Sequence, residues 1–543
     1  MNNKITEVVI VGGGTAGWLT AGILAAQFKK KSLAFNITLV ESADIPTIGV
    51  GEGTWPSMRE TLKHIGIRES DFLTHCDASF KQASKFVNWN NPTTSHSYYY
   101  HPFTQPVAAD FQQITDNAVT NHSACHYDGA ASFAQLFCYQ SSLCQLNLAP
   151  KLTHTADYDY IGNYGYHLDA GKFALLLKNH CIDTLNIKHI SANVIGLNAD
   201  ATDFITCLQT DSLTSPLVNG DLFIDCSGQQ GLLIKQHYKI PFICKKSILF
   251  NDRAVAAQVP YSSKNHPINS STLATAQAAG WIWDIGLQSR RGVGYVYSSE
   301  FISDEEAKIA LTQYIGGEVD SVSVKHLSFN PGHLSKFWHN NCVAIGMSAG
   351  FIEPLEASAL ALVEQSAMFI AEQFPHHVQV LPLIEERFNQ RMLNHWQQII
   401  DFLKLHYVLS NRKDSEYWRK HKDDTTTPTS LLKLLALWQH QAPSKYDITQ
   451  AYPLFPAASY QYVYYGMKQH ELSDKLDLSQ YSAQIQKVAQ QQQQLKQVAI
   501  CNRSLLNSIQ QSIIQTSRNK DLTIKKSPIH NRADDHHDKA QLA

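Results

Sequence analysis

The spacing of hydrophobic positions changes several times along this chain, and each change marks an element. Val8–Val11 is an uninterrupted apolar run, which predicts a short strand buried on both faces. From Ala16 to Phe28 the apolar residues recur at helical spacing, and Ile37-Thr38-Leu39-Val40 is a second strand ending at Glu41. Together they predict a β–α–β unit with glycines at its first turn. Residues 90–130 are polar and aromatic with weak periodicity (Tyr98-Tyr99-Tyr100-His101-Pro102), so loops are expected there. His167 to Lys178 has helical spacing, and residues 187–225 predict short strands at Ile187–Leu197, Phe204–Leu208 and Leu222–Asp225. Leu355 to Phe374 predicts a long apolar helix, with Pro354 in its first turn. Residues 380–410 and 430–440 predict amphipathic helices rich in Leu, Trp and His. A Gln-rich stretch over 479–516 keeps helical apolar spacing (Ile485, Val488, Leu495, Leu505, Ile509), as in a packed C-terminal helix. From about Arg518 the tail is charged and His-rich and predicts disorder. No internal repeat is visible.

Composition narrows the class. A chain of 543 residues with 44% hydrophobic and 17% charged residues describes a globular protein with a sizeable core. A formal net charge of −2 argues against a nucleic-acid surface. No apolar run is long enough for a membrane helix. The N-terminus enters a strand directly, without the basic start and apolar core of a signal peptide, so a cytoplasmic location is expected. The ten cysteines form no CxxC pair and the 25 histidines are dispersed, which points to reduced thiols and no metal site.

Gly12-Gly13-Gly14-Thr15-Ala16-Gly17 satisfies GxGxxG between a strand and a helix. Such a turn brings backbone N–H groups and the positive end of a helix dipole to a pyrophosphate. Glu41 follows at the end of the second strand, where a carboxylate reaches ribose hydroxyls. The expected ligand-binding positions are Gly12, Gly14, Thr15, Ala16, Gly17 and Glu41. A second glycine-rich loop, Ile48-Gly49-Val50-Gly51-Glu52-Gly53-Thr54, comes soon after.

Three features combine into a resemblance: this glycine fingerprint, the run Trp281-Ile282-Trp283-Asp284-Ile285-Gly286, and the run Phe351-Ile352-Glu353-Pro354-Leu355-Glu356. The chain resembles the flavin-dependent halogenases typified by the tryptophan halogenases, over most of residues 5–375. The resemblance implies FAD rather than NAD. It adds Gly49, Val50 and Gly51 of the second loop, Gly346 and Leu355 to the flavin-binding positions. Phe223–Gly228 is similar to the segment returning to the nucleotide domain, and Asn341–Gly346 to the strand leading to the isoalloxazine. Met347-Ser348 follows Gly346, where aromatic-ring hydroxylases usually carry an Asp, and this favours a halogenase.

The resemblance also assigns chemistry. Lys81, within Cys76–Phe86, matches the lysine that presents hypohalous acid to the substrate; Lys85 is the alternative if that segment is helical. Glu356 matches the carboxylate that stabilises the cationic ring and takes its proton, with Glu353 as the alternative. The backbone amides of Ser358 and Ala359 match the halide site, although the family has Ser-Thr and often Gly where this chain has Ala357-Ser358-Ala359. Trp281 and Trp283 match the wall of the tunnel between flavin and substrate; Gly286 stands where the family has proline.

The expected fold is α/β: a Rossmann-like FAD-binding box of the GR2, aromatic-hydroxylase type, built from discontinuous segments of residues 1–375. A mostly helical, pyramid-like substrate module follows over 376–516, and the tail is 517–543. The expected activity is two-component halogenation of an electron-rich, indole- or tryptophan-like ring. FAD arrives reduced from a separate flavin reductase, for no second GxGxxG is present for a nicotinamide. Chloride or bromide serves as halide, with bromide favoured as the easier to oxidise. A homodimer is left open. The competing readings are a flavin-dependent aromatic monooxygenase and a non-catalytic flavin-binding protein.

Overall fold

The structure is a computed structural model describing residues 4–45, 51–91, 97–108, 111, 132–317, 323–448, 450–468 and 476–524, with side chains as far as 515. The first β–α–β unit forms as its pattern dictates: β1 (Glu7–Val11), α1 (Thr15–Lys30) and β2 (Asn36–Glu41). β1 lies at the centre of a six-stranded sheet, parallel to β2 on one side and to Leu222–Asp225 on the other. Cys342–Ala344 and Lys188–Ser191 extend the sheet outward in parallel, and Trp338–His339 adds an antiparallel edge. Ile10, Leu39 and Ile224 are fully buried in it, each contributing about 1.5–3 kcal/mol through burial.

A second sheet of seven strands holds Arg253–Pro260, Ser271–Gln277, Gly280–Gly286, Arg290–Tyr297 and Val324–Ser328, together with β5 (Ala83–Val87) and β6 (Tyr98–Pro102). A small sheet of β3 (Gly51–Gly53), β4 (Ser79–Lys81) and β7 (Gly165–Asp169), with β7 in the middle, packs against the second sheet. The C-terminal part is mainly helical, including Leu381–Val408, Ala457–Met467, Ser482–Val498 and Asn502–Ile524.

Several sequence expectations are corrected. His167-Leu168-Asp169 belongs to β7, and the helix starts only at Ala170, where the Asp169 side chain accepts from the Lys172 N–H. Two partner strands claim that backbone, and pairing outweighs helical spacing. Tyr98–Pro102 is a strand rather than a loop, zipped onto β5. The helix expected from Leu355 begins at Ser358, because Ala357 adopts a left-handed φ of 54° after a turn closed by its N–H on the Pro354 carbonyl. Pro354 therefore stands before the helix. The Gln-rich stretch is two helices, broken at 499–501, where Cys501 bridges Leu148. The expected tail begins inside the second of these, which continues to Ile524; residues 525–543 lie outside the described residues.

Candidate active site

The glycine turn after β1 leaves an open cradle. Gly12 has φ +112°, and a Cβ there would lie 2.2 Å from the Cys226 carbonyl oxygen; one on Gly17 would lie 1.9 Å from the Gly12 oxygen. Above Gly14 there is open space, with nothing within 4 Å of its Cβ position. α1 has no side-chain cap and no acidic residue in its first turn, so its leading N–H groups face that space. Free donors, a helix dipole and room for phosphate oxygens fit a dinucleotide pyrophosphate. Thr15 and Ala16 start the helix. Glu41 overhangs the turn, with Trp18 Nε1 donating to it at 3.0 Å and Lys178 Nζ at 2.7 Å. Gly346, at φ +75°, closes onto Ala16. Leu355 is buried in the loop beyond it, and Gly49 and Val50 lie outside the described residues.

The small sheet delivers the lysine. Lys81 ends β4 opposite Gly165, which the backbone of Thr54 and Trp55 approaches so closely that a Cβ would overlap it. The ammonium turns toward β3: a Cβ on Gly53 would lie 3.3 Å from Lys81 Nζ and 3.5 Å from the Ala357 Cβ. Lys81, β3 and the residue before the helix Ser358–Glu372 thus meet around Gly53. Lys81 is 1% exposed. Burial lowers its pKa to about 8, although the Glu356 carboxylate partly opposes that shift. The nearest aromatic face is Phe103, with Nζ 5.3 Å from the ring centre.

Glu356 is 3% exposed and held from several sides. His101 Nδ1 is 2.9 Å from Oε1, His406 Nε2 is 3.2 Å from Oε1, and Ser84 Oγ donates to Oε2 at 3.3 Å. Burial alone would push this carboxyl up; the two imidazoles overcome it and hold the group well below the usual carboxylate range. Burial in turn lowers the His406 pKa, and the Glu356 carboxylate opposes that shift. Tyr99, whose phenol is pushed up by burial, keeps its proton and lies 2.6 Å from His406 Nδ1, on the side of the ring away from Glu356. Trp55 Nε1 donates to the Glu356 backbone carbonyl at 2.7 Å, fixing the turn before the helix.

The helix Ser358–Glu372 begins with no side-chain cap and no acidic residue in its first turn. The N–H groups of Ser358 and Ala359 belong to that turn, which suits an anion. Aromatic rings surround the corner: Phe455 stacks on Phe402 at 3.9 Å and meets Trp55 at 5.0 Å, and Tyr460 meets Phe402 at 5.0 Å. Ser459 Oγ lies 2.9 Å from His101 Nε2. Among the described residues no group of His, Cys, Asp or Glu is placed to hold a metal ion.

A match to the tryptophan halogenase family model spans residues 7–478. The tryptophan 6-halogenase SttH of Streptomyces toxytricini is 33% identical over 478 residues, covering 85% of this chain and 89% of that protein. The chain belongs to the tryptophan halogenase family. The tryptophan 7-halogenase RebH of Lentzea aerocolonigenes is 31% identical over 441 residues, 78% of this chain and 80% of that one. Among solved structures, a tryptophan halogenase from Shewanella frigidimarina NCIMB 400 superposes with a TM-score of 0.85 at 46% identity, covering 94% of this chain and 98% of the other. Family membership makes the chain a flavin-dependent halogenase, an oxidoreductase that uses FAD and halide.

In this halogenase the two alternatives raised by the sequence sit elsewhere. Lys85 is on β5, not one helical turn beyond Lys81, and packs its ammonium against Tyr98 and Tyr100 at 4.2 and 5.5 Å. Glu353 belongs to a neighbouring buried cluster, accepting from Asn251 Nδ2 at 2.6 Å, Trp281 Nε1 at 2.7 Å and the Tyr407 hydroxyl at 2.7 Å. Trp281 is fully buried, whereas Trp283 is half-buried and lines a cavity of about 590 Å³ with Gly51 and Arg290. Sequence reasoning missed His101, His406, Ser84 and Trp55 at the site. Of these only His101 carried a signal, as the polar end of an aromatic run that proves to be a strand.

Proposed function

We propose that this halogenase is two-component and installs halogen on an indole-type ring, tryptophan included, through Lys81 and Glu356. The observation that carries the reading is the buried Lys81 ammonium beside Gly53 and Ala357, next to a Glu356 kept ionised. When bound, reduced FAD supplies, with oxygen and halide, the hypohalous acid that the reaction consumes. A separate flavin reductase provides the reduced FAD, in keeping with a single dinucleotide cradle in the sequence. Ser358 and Ala359 hold the halide on backbone N–H groups, and Trp281 with Trp283 walls the passage and keeps the substrate ring from the cofactor.

Lys81 then donates a hydrogen bond to the oxygen of hypohalous acid, which weakens the oxygen–halogen bond. Ring π electrons attack the halogen, that bond breaks, and the departing hydroxide takes the Lys81 proton to become water. The ring is left cationic beside the Glu356 carboxylate, which stabilises it electrostatically. The ring proton passes to Glu356 and from there back to Lys81. A cationic ring is so strong an acid that a carboxylate held low in pKa still accepts its proton. The aromatic rings of Phe103, Phe455 and Trp55 give the substrate a flat, apolar enclosure, and the helices Leu381–Val408 and Ala457–Met467 close it from the C-terminal side.

Mass spectrometry tests the reading. The protein is mixed with FAD, an NADH-driven flavin reductase, oxygen, bromide and indole or tryptophan, with hydrogen peroxide quantified in parallel. The expected result is a product with bromine's paired isotope pattern that Lys81→Ala abolishes. An oxygenated product independent of bromide overturns it in favour of a monooxygenase. With both halides present, bromination is expected to predominate, and a clear chloride preference refutes that part.

A further inference from the structure

The strand that carries Lys81 has two edges. One pairs with β7, Ser79 opposite His167 and Lys81 opposite Gly165. The other is held by a segment beyond residue 478, where the match to the family model ends. Asn502, the first residue of the helix Asn502–Ile524, is fully buried, and its Nδ2 donates to the Phe80 carbonyl at 3.2 Å. Phe80 immediately precedes Lys81.

The same residue is fixed in turn by its backbone. Asn502 N–H donates to the Asn147 carbonyl at 2.8 Å, Cys501 bridges Leu148, and Ala149 N–H donates to the Ile500 carbonyl at 2.8 Å. The Leu148 carbonyl accepts from Gln82 Nε2 at 2.7 Å, so the residue after Lys81 is tied to the same anchor. Next in the helix, Arg503 Nε donates to the His266 carbonyl at 2.9 Å and Nη1 donates to the Gln288 carbonyl. Gln288 Nε2 donates to the carbonyls of Leu73 and Ala78, upstream of β4. The start of this helix therefore grips the lysine strand before, at and after Phe80.

Asn502 is a costly choice for packing alone. Its Oδ1 is buried with no donor among the described residues, and an unmet polar atom detracts from stability. Alanine would lose one hydrogen bond and remove one orphan, so the two effects on stability oppose each other. What alanine cannot supply is the bond that fixes the Phe80 peptide.

We propose that Asn502 is a positioning residue for halogenation: through the Phe80 carbonyl it sets where the Lys81 ammonium stands against Glu356 and Gly53. The inference rests on Lys81 acting on hypohalous acid. Misplacement of a reacting group by about 1 Å costs on the order of 10²-fold, whereas the glycine turn after β1 shares no backbone hydrogen bond with β4 among the described residues.

The test uses full-length Asn502→Ala and Asn502→Asp; aspartate is near-isosteric and lacks the amide donor. Halogenated product, hydrogen peroxide, FAD affinity and the thermal midpoint are measured together, with Lys81→Ala in the same assay. The expected result for both variants is product per peroxide at least about tenfold lower, with FAD affinity unchanged and total turnover of reduced flavin kept. If one variant fails to fold, the other carries the test. Unchanged product per peroxide overturns the positioning role, and so does a parallel loss of FAD affinity, peroxide and product. If Lys81→Ala itself retains product, the reading of Lys81 fails first, and that outcome is separate from the behaviour of Asn502.

Discussion

His101 Nδ1 lies 2.9 Å from Oε1 of Glu356, and both groups are buried. The contact joins β6 to the turn before the helix Ser358–Glu372, parts of the chain 255 residues apart. It lets a carboxylate stay ionised where burial alone would neutralise it. Glu356→Gln keeps the shape and removes the charge. The expected outcome is a fall in halogenated product of about 10²–10⁴-fold, with peroxide formation kept. His101→Phe is expected to leave Glu356 to His406 and Ser84, raise its pKa, and lower the product by a smaller factor. Paired product and peroxide assays check both. The low Glu356 pKa also contributes stability that is full above the usual value of 4.5 and lost as pH falls through the folded value, so Glu356→Gln is expected to flatten the acid limb of a stability–pH curve.

Lys81 sets the opposite limb. In the proposed mechanism its proton activates hypohalous acid, and burial lowers its pKa from 10.5 to about 8. Product per peroxide is therefore expected to decline as pH rises through about 8. Stability runs the other way. An unfolded lysine keeps its proton up to 10.5, so between about 8 and 10.5 the unfolded chain binds more protons and folding is favoured by raising pH. Below that window, keeping the ammonium buried and charged costs about 3 kcal/mol. Lys81→Met is accordingly expected to abolish product while raising stability by about 1–3 kcal/mol at pH 7. Denaturant melts across pH check the sign; a destabilised Lys81→Met would contradict it.

Which parts of this site the sequence revealed follows from their physics. The glycine turn and β1–α1–β2 were legible because short-range sterics and a local hydrophobic period determine them. Lys81 and Glu356 were reached through motif resemblance, and no local period points to either. His101 was read as loop because Tyr98–Pro102 shows no alternation: its strand identity comes from pairing with β5 and from aromatic packing on both faces. The His167–Asp169 segment was read as helix for a related reason, since β3 and β4, far away in sequence, claim its backbone. His406 and Asn502 lie on helices whose amphipathic spacing describes burial and is silent on which buried polar atom meets which partner.

Trp281 donates to Glu353 from the core side of the tryptophan pair. Burial raises the Glu353 pKa, and donors from Trp281, Tyr407 and Asn251 partly offset it. Trp281→Phe preserves most of the ring and removes one donor. The expected cost is about 1–3 kcal/mol of stability, together with a further rise in the Glu353 pKa. Because Glu353 lies three residues before Glu356, product per peroxide is also expected to fall, by less than for Glu356→Gln. Urea denaturation beside the coupling assay separates the two effects, and an unchanged midpoint would show that the Trp281–Glu353 bond contributes little.

Gly286 stands where the family pattern carries proline, and the fold explains why the glycine is not interchangeable here. A Cβ on Gly286 would lie 2.9 Å from Ile268 Cγ2 and 3.0 Å from the Tyr261 hydroxyl oxygen. Tyr261 in turn donates to the Leu287 carbonyl at 2.9 Å, and the Gly286 carbonyl accepts from Ser79 Oγ at the start of the lysine strand. The segment 261–268 has thus closed onto the space that a proline ring would fill. Restoring the family residue is expected to overpack this corner and destabilise the protein by about 1–3 kcal/mol. Gly286→Ala is expected to cost less than Gly286→Pro, because it adds the Cβ alone. Because Ser79 is tied to the same peptide, the proline variant is also expected to lower product per peroxide. Thermal melts of the two variants check the order. A Gly286→Pro protein as stable as the parent would mean that the 261–268 segment yields freely, and that the contacts of Ile268 and Tyr261 do not set the position of the strand end.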